Sequence, residues 1–215
     1  MVQKDNPNII YKSSFANRRI YNRFDFLKEN FKPGQILDVG NIGGILGQGK
    51  SDSSYHKFKD ELPSSSSLYG FDICPPSDPE NYPNQKTGNI EDGLPFADVF
   101  FDTIYLGEVL EHLQNPGFVL KEIHRTLKPD GVFILDVPNP YSIMRMLQFT
   151  FKRHENLGDP THLIFWTPAS LKSILKINGF EIALLNTKLS NKFKFIPNFL
   201  IKGLGSHLLV VARKI

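Results

Sequence analysis

The sequence predicts an α/β fold: a doubly wound, mostly parallel sheet of seven strands with helices on both faces. Three observations carry that prediction. Short apolar runs suited to buried strands recur six times. Segments with apolar residues at helical spacing fall between several of them, and a glycine-rich turn and acidic residues sit where strands end.

Residues 11–30 place Phe15, Ile20, Phe24 and Leu27 at roughly helical spacing before the stop Lys32-Pro33-Gly34, which predicts a leading helix. Residues 35–40 (QILDVG) are an apolar run closing on glycine, a buried strand that hands over to a loop. Ser53 and Ser54 are placed to cap a helix through Tyr55, Phe58 and Leu62, which Pro63 and the serine run 64–67 end. LYGFDI at 68–73 reads as the second strand. The following stretch, 74–85, holds four prolines and is predicted to stay a loop where a wound fold often places a helix.

Strands are predicted at 86–89 and 101–106. A helix at 116–127 comes next, with Phe118, Val119, Ile123 and Leu127 on one face, ended by Lys128-Pro129-Asp130-Gly131. GVFILDV at 131–137 is the most strand-like run, and Pro138-Asn139-Pro140 stops it, so it belongs in mid-sheet. Thr167-Pro168 opens a helix at 169–178 that Gly179 closes, and strands follow at 180–185 and 207–213.

A chain of 215 residues, 40% hydrophobic and 22% charged, suits one globular domain spanning 1–215. The charge, 25 basic minus 22 acidic or +3, is too weak to act as a footprint for nucleic acid, so none is expected as a partner. Residues 1–8 are polar and no apolar run is long enough to cross a bilayer, which leads to the expectation of a cytoplasmic protein. Cys74 is the single cysteine and no Cys/His cluster has zinc spacing, so no metal is expected.

Asp38-Val39-Gly40-Asn41-Ile42-Gly43-Gly44 follows the first strand, where a ligand that approaches backbone closely leaves no room for a Cβ. Asp72 ends the next strand, placed for a carboxylate to accept hydrogen bonds from ribose hydroxyls. Together they point to an adenosine-containing cofactor. A nicotinamide-dependent oxidoreductase would use the same two features, but with G-x-G-x-x-G and an acid about 20 residues on. Here the turn is G-N-I-G-G, and Asp72 lies 32 positions after Gly40 (72 minus 40).

The ordered series LDVGNIGG, YGFDI, GNIEDGLPFADVFFDTIYLGEVLEHL and LKPDGVFILDVPNP resembles the motifs of class I S-adenosylmethionine-dependent methyltransferases, especially the small-molecule, type 11-like branch. The resemblance covers residues 35–138 and extends through THLIFWTPASLKSILKINGFEI to about 182. It implies a Rossmann-like methyltransferase fold and S-adenosylmethionine as cofactor. By it, Asp38, Gly40, Asn41, Gly43 and Gly44 would wall the methionine part, Asp72 would hold the ribose, and Ile73 would lie against the adenine. Asn89 and Ile90 would edge the adenine, and Leu106, Gly107 and Glu108 would close the pocket beneath the sulfonium. The sequence departs from the family where Asn89 replaces the usual Asp, Ile42 replaces a common glycine, and Gly47-Gln48-Gly49-Lys50 lengthens the first loop.

Methyl transfer from a sulfonium is an in-line displacement at an activated carbon, so alignment and shielding matter more than a dedicated catalytic group. If the acceptor needs a base, His112 and His162 are the catalytic candidates; each also reads as a structural histidine. Asp136, Asn139 and Tyr141, near the end of the 131–137 run, are either acceptor contacts or solvated loop residues. Residues 141–166 are expected to form a lid insertion. A second insertion, 191–205, mixes Phe193, Phe195, Ile196, Phe199, Leu200 and Ile201 with lysines. It suits either a lipid-like acceptor or peripheral membrane contact, or packing against its own domain or a twin subunit. The function expected is methyl transfer to a small-molecule or lipid-linked acceptor, against an inactive methyltransferase-like scaffold serving as a partner subunit.

Overall fold

The computed structural model describes residues 15–42, 59–60, 62–152 and 159–215. Its seven strands are β1 (Gln35–Val39), β2 (Ser67–Asp72), β3 (Gln85–Thr87), β4 (Phe101–Gly107), β5 (Leu127–Pro138), β6 (Phe180–Lys188) and β7 (His207–Lys214). They form one sheet in the order β3-β2-β1-β4-β5-β7-β6, with β7 antiparallel to both of its neighbours and the other pairs parallel. The helices are α1 (Arg23–Asn30), α2 (Pro116–Thr126), α3 (Ile143–Lys152), α4 (Pro168–Ile177) and the single-turn α5 (Asn198–Ile201).

Side chains alternate across the sheet with the two-residue period of a strand. Leu37, Val39, Ile104, Leu106, Phe133, Leu135 and Val210 enter one core with Val119, Leu120 and Ile123 of α2 and Leu171 and Leu175 of α4. Their neighbours Ile36, Tyr105, Val132, Ile134, Leu209 and Val211 enter a second core with Phe26 and Leu27 of α1. Helices therefore cover both faces, as double winding requires.

The helix starts follow local chemistry. Asn22 accepts the backbone N–H of Phe24 at the head of α1, Asn115 that of Phe118 at α2, and Thr167 and Ser170 form a reciprocal capping box at α4. The cap at Asn22 also shortens the expected leading helix: residues 15–22 run outside it, and Ile20 bridges to Lys188 beside β6. Residues 11–14 of that expected helix, the helix expected after Ser53 and Ser54 as far as residue 58, and the 47–50 loop all lie outside the described residues.

One strand boundary departs clearly from expectation. Phe101 pairs with Leu127 but Thr103 with Val132, so β5 advances five residues (132 minus 127) where β4 advances two. The Lys128-Pro129-Asp130-Gly131 segment is thus a bulge within β5 rather than a turn before it. The side chain of Lys128 anchors it, donating from Nζ to Asp102 Oδ2 at 2.7 Å. In the two expected insertions the chain forms α3 and, over 191–205, a short 3-10 turn (Asn191–Phe193) and α5. Among the described residues, no helix is long and apolar enough to cross a membrane.

Candidate active site

The chain winds outward from β1 through β2 to β3, then returns to place β4 on the other side of β1. At such a reversal the loops leaving neighbouring strands part, and a crevice opens at the carboxyl ends. A cavity of about 370 Å³ lies there, within the range of roughly 300–1,000 Å³ usual for cofactor and small-molecule sites. It is lined by Val39 and Gly40 at the end of β1, Asp72 and Ile73 at the end of β2, Gly88, Asn89, Ile90 and Glu91 after β3, and Glu108, Val109, His112 and Leu113 after β4; Asp159 and Thr161 border it from the later chain.

Two backbone features shape the walls. Gly40 has φ +75°, and a Cβ there would meet Val109 Cγ2 at 2.5 Å, so both conformation and space demand glycine. Glu108 takes a left-handed φ of 55° although it bears a side chain, a conformation costing of order 1–3 kcal/mol that surrounding contacts must hold. Those contacts are present. Arg23 of α1 pairs with one oxygen of its carboxylate, and His207 Nε2 of β7 lies 2.8 Å from the other. The hydrogen bond from His207 and the nearby Arg23 guanidinium bring the Glu108 carboxyl down to about 2.

Asp72 is buried, and its oxygens already accept two backbone N–H groups, Ile42 at 2.8 Å and Cys74 at 2.9 Å. These bonds tie together the loops after β1 and β2. A carboxylate has about four acceptor positions, so two remain for the hydroxyls of a ligand. Asn89 caps the turn Ile90–Asp92, accepting the Glu91 N–H at 3.0 Å; an amide oxygen does that task without the charge of the expected Asp.

Of the residues singled out in the sequence, the cavity brings together Gly40, Asp72, Ile73, Asn89, Ile90, Glu108 and His112. Ile73 is 53% exposed, an apolar surface turned outward at the cavity. Asp38, Asn41 and Leu106 are buried behind it; Asn41 exchanges hydrogen bonds with Gln85 at 2.8 and 3.0 Å. Gly107 packs where a Cβ would meet Tyr105 Oη at 2.3 Å. Gly43 and Gly44 lie outside the described residues. His162 stands beside His112, their ring centres 4.7 Å apart.

Three residues near the end of β5 divide by role. Asp136 is buried and accepts the Tyr105 hydroxyl at 2.5 Å, with Arg23 Nη1 3.7 Å away. Asn139 is fully buried and donates to the carbonyls of Gly203 and Gly205. Neither is a solvated loop residue. Tyr141, half-exposed, lines a second and larger cavity of about 570 Å³ with Phe15, Met146, Ile182, Leu184 and Leu204.

Arg23 and His207 complete the site without any sequence signal, whereas Asp159 and Thr161 reach it from the stretch 141–166 expected to form a lid. Arg23 is 85 residues from Glu108 and His207 is 99.

A family model described as a methyltransferase domain matches residues 14–185. An uncharacterized protein of Methanocaldococcus jannaschii is 31% identical over 145 residues, 57% of this chain and 57% of that protein. A probable S-adenosylmethionine-dependent methyltransferase of Mycolicibacterium smegmatis is 32% identical over 97 residues, 45% of this chain and 35% of the other. The matches thus span little more than half and about a third of those curated relatives. Among solved structures, an S-adenosylmethionine-dependent methyltransferase from Archaeoglobus fulgidus shares the fold with a TM-score of 0.61 at 20% identity, covering 89% of this chain and 91% of that one.

Proposed function

The chain belongs to the methyltransferase domain family, and from that premise we propose that it transfers a methyl group from S-adenosylmethionine to a small-molecule or lipid-linked acceptor. The observation that carries the reading is the cavity at the β1/β4 reversal, with Asp72 on one side and the Glu108 turn on the other.

The residues present fit the cofactor. Asp72 has acceptor capacity left for two ribose hydroxyls. Ile73, Ile90 and Phe71 offer apolar surface for a purine ring, and Gly40 and Gly88 let backbone approach a ligand without a side chain between. When bound, S-adenosylmethionine supplies a methyl group already activated by its sulfonium.

The chain's own work is then to bind, align and exclude water. Asp72 fixes the nucleoside end. Glu108, ionised throughout the neutral range, places negative charge near the end where a sulfonium needs it. His112 lies at the cavity wall and burial lowers its pKa, so its ring is neutral near pH 7 and has a lone pair to take a proton from an acceptor.

The lipid-linked alternative is supported by exposed apolar side chains on the two insertions: Phe151 at 78%, Phe195 at 87% and Phe199 at 80% exposure, with Lys152, Lys192 and Lys194 beside them in the chain. Aromatic and basic groups together suit an interfacial surface.

Calorimetric titration of the purified chain with S-adenosylmethionine, S-adenosylhomocysteine and NAD tests the cofactor. Binding of the first two alone supports the reading; binding of NAD alone overturns it, and no binding at all favours an inactive scaffold.

A further inference from the structure

We propose that Glu111, His112 and His162 form a binding site for a divalent transition-metal cation in the wall of the smaller cavity. Each offers one ligand atom, and the three atoms lie within 4.8 Å of one another.

The first argument is an unmet need. Glu111 is 1% exposed, and both its carboxylate oxygens are buried without a hydrogen-bond partner among the described residues. Leaving such a group unsatisfied costs several kcal/mol if it is charged. His162 Nε2 lies 3.8 Å from Oε1, too far for a hydrogen bond.

The second is orientation. Thr161 donates its hydroxyl proton to Asp159 Oδ1 at 2.5 Å, so toward His112 Nδ1, 2.9 Å away, its Oγ1 acts as acceptor. The Thr161 carbonyl, 3.2 Å from the same nitrogen, is also an acceptor. Nδ1 must therefore carry the proton, and Nε2 keeps a lone pair for a ligand. An outer contact that fixes the tautomer is what metal-bound histidines ordinarily have. The Glu111 carbonyl accepts N–H bonds from Leu163 at 2.9 Å and Ile164 at 3.2 Å, which pin the His162 segment against the Glu111 turn.

A second carboxylate–histidine group, Glu108, Asp136 and His207, has the same compactness. It differs in that the Arg23 guanidinium pairs with Glu108 and stands 3.7 Å from Asp136, so positive charge is already supplied. Two imidazoles and one carboxylate suit zinc, manganese, iron or cobalt better than calcium or magnesium, which prefer oxygen alone. Three protein ligands leave coordination positions for solvent or an acceptor atom. A cation here would use the His112 lone pair, so His112 would then serve as ligand and not as base.

The test uses untagged full chain, stripped with chelator and titrated with Co²⁺ and Mn²⁺ by calorimetry, with cobalt absorption as a second readout. The expected result is one equivalent bound, with Glu111→Gln and His162→Ala each weakening binding at least about tenfold and Thr161→Val by about tenfold. S-adenosylhomocysteine titrated into Glu111→Gln should bind as to wild type, separating this outcome from the cofactor assignment. Absence of stoichiometric binding to the wild-type chain, or affinity unchanged in both ligand variants, would overturn the proposal.

Discussion

Two cavities among the described residues have no lining residue in common, and they differ in construction more than in size. The smaller, about 370 Å³, is made by loops leaving the parallel strands, with Asp72, Asn89, Glu108 and His112 in its walls and glycine where backbone must come close. The larger, about 570 Å³, lies against β6 and is walled by Phe15, Tyr141, Met146, Ile182, Leu184 and Leu204, with Lys172, Glu181 and Lys202 at its polar positions. Volume alone would choose the larger. Convergent hydrogen-bonding groups and strained backbone choose the smaller for a polar cofactor, and leave the larger for an apolar ligand or none.

The sharpest way to break that contrast is Asp72→Ala. Each charge-assisted hydrogen bond to a ribose hydroxyl contributes about 1.5–3 kcal/mol, so losing two should weaken S-adenosylhomocysteine binding by ~100-fold or more in calorimetry. Unchanged affinity would mean that the cofactor does not use the smaller cavity. Next is the pair Phe195→Ser and Phe199→Ser, on the insertion whose Lys202, Gly203 and Leu204 line the larger cavity. If that region meets lipid, affinity for anionic vesicles in co-sedimentation should fall about thirtyfold, since each partly buried Phe contributes on the order of 1 kcal/mol; cofactor affinity should not move.

A smaller effect concerns the electrostatics of the polar wall. The Glu108 carboxyl is lowered from 4.5 to about 2 in the folded chain, so its stabilisation is present above about pH 4.5 and is lost as pH falls toward 2. Glu108→Gln should be less stable to urea than wild type at pH 7, with the two midpoints converging over that acid range. Its side chain is 41% exposed, so screening keeps the gap to about 1 kcal/mol or less. The smallest effect is expected from filling the larger cavity. Ala183→Trp should change S-adenosylhomocysteine affinity by less than about twofold, and any larger change would show that the cavities are coupled.

How far the molecule could be read from its sequence follows the same division. The strands other than β3 were legible because they alternate or run apolar over their buried length, as at Val132 to Val137, and the start of α4 because Thr167 followed by proline is a chemically specific opening. The bulge at 128–131 was not, since a Pro-Asp-Gly sequence reads as a turn until its pairing is known. Within the site, Gly40 and Asp72 announce themselves by standing at strand ends. Arg23, His207 and Thr161 do not, because an ion pair or hydrogen bond to a group 49 to 99 residues away leaves no local pattern. Spacing likewise could not join His112 to His162, 50 positions apart (162 minus 112), whereas the turn at Glu111 brings their rings together.

The grip on Glu108 also bears on when the protein becomes competent. Synthesis delivers Arg23 first, then Glu108, and His207 only 99 residues later, roughly 5–20 s afterwards at ordinary elongation rates of about 5–20 residues per second. β7, which carries His207, must also slot between β5 and the already synthesised β6. A growing chain therefore exposes most of the smaller cavity's lining to the ribosome exit before the wall at Glu108 can be clamped. The clamp on this wall of the smaller cavity is thus a property of the finished sheet, closed only when β7 brings His207 to Glu108.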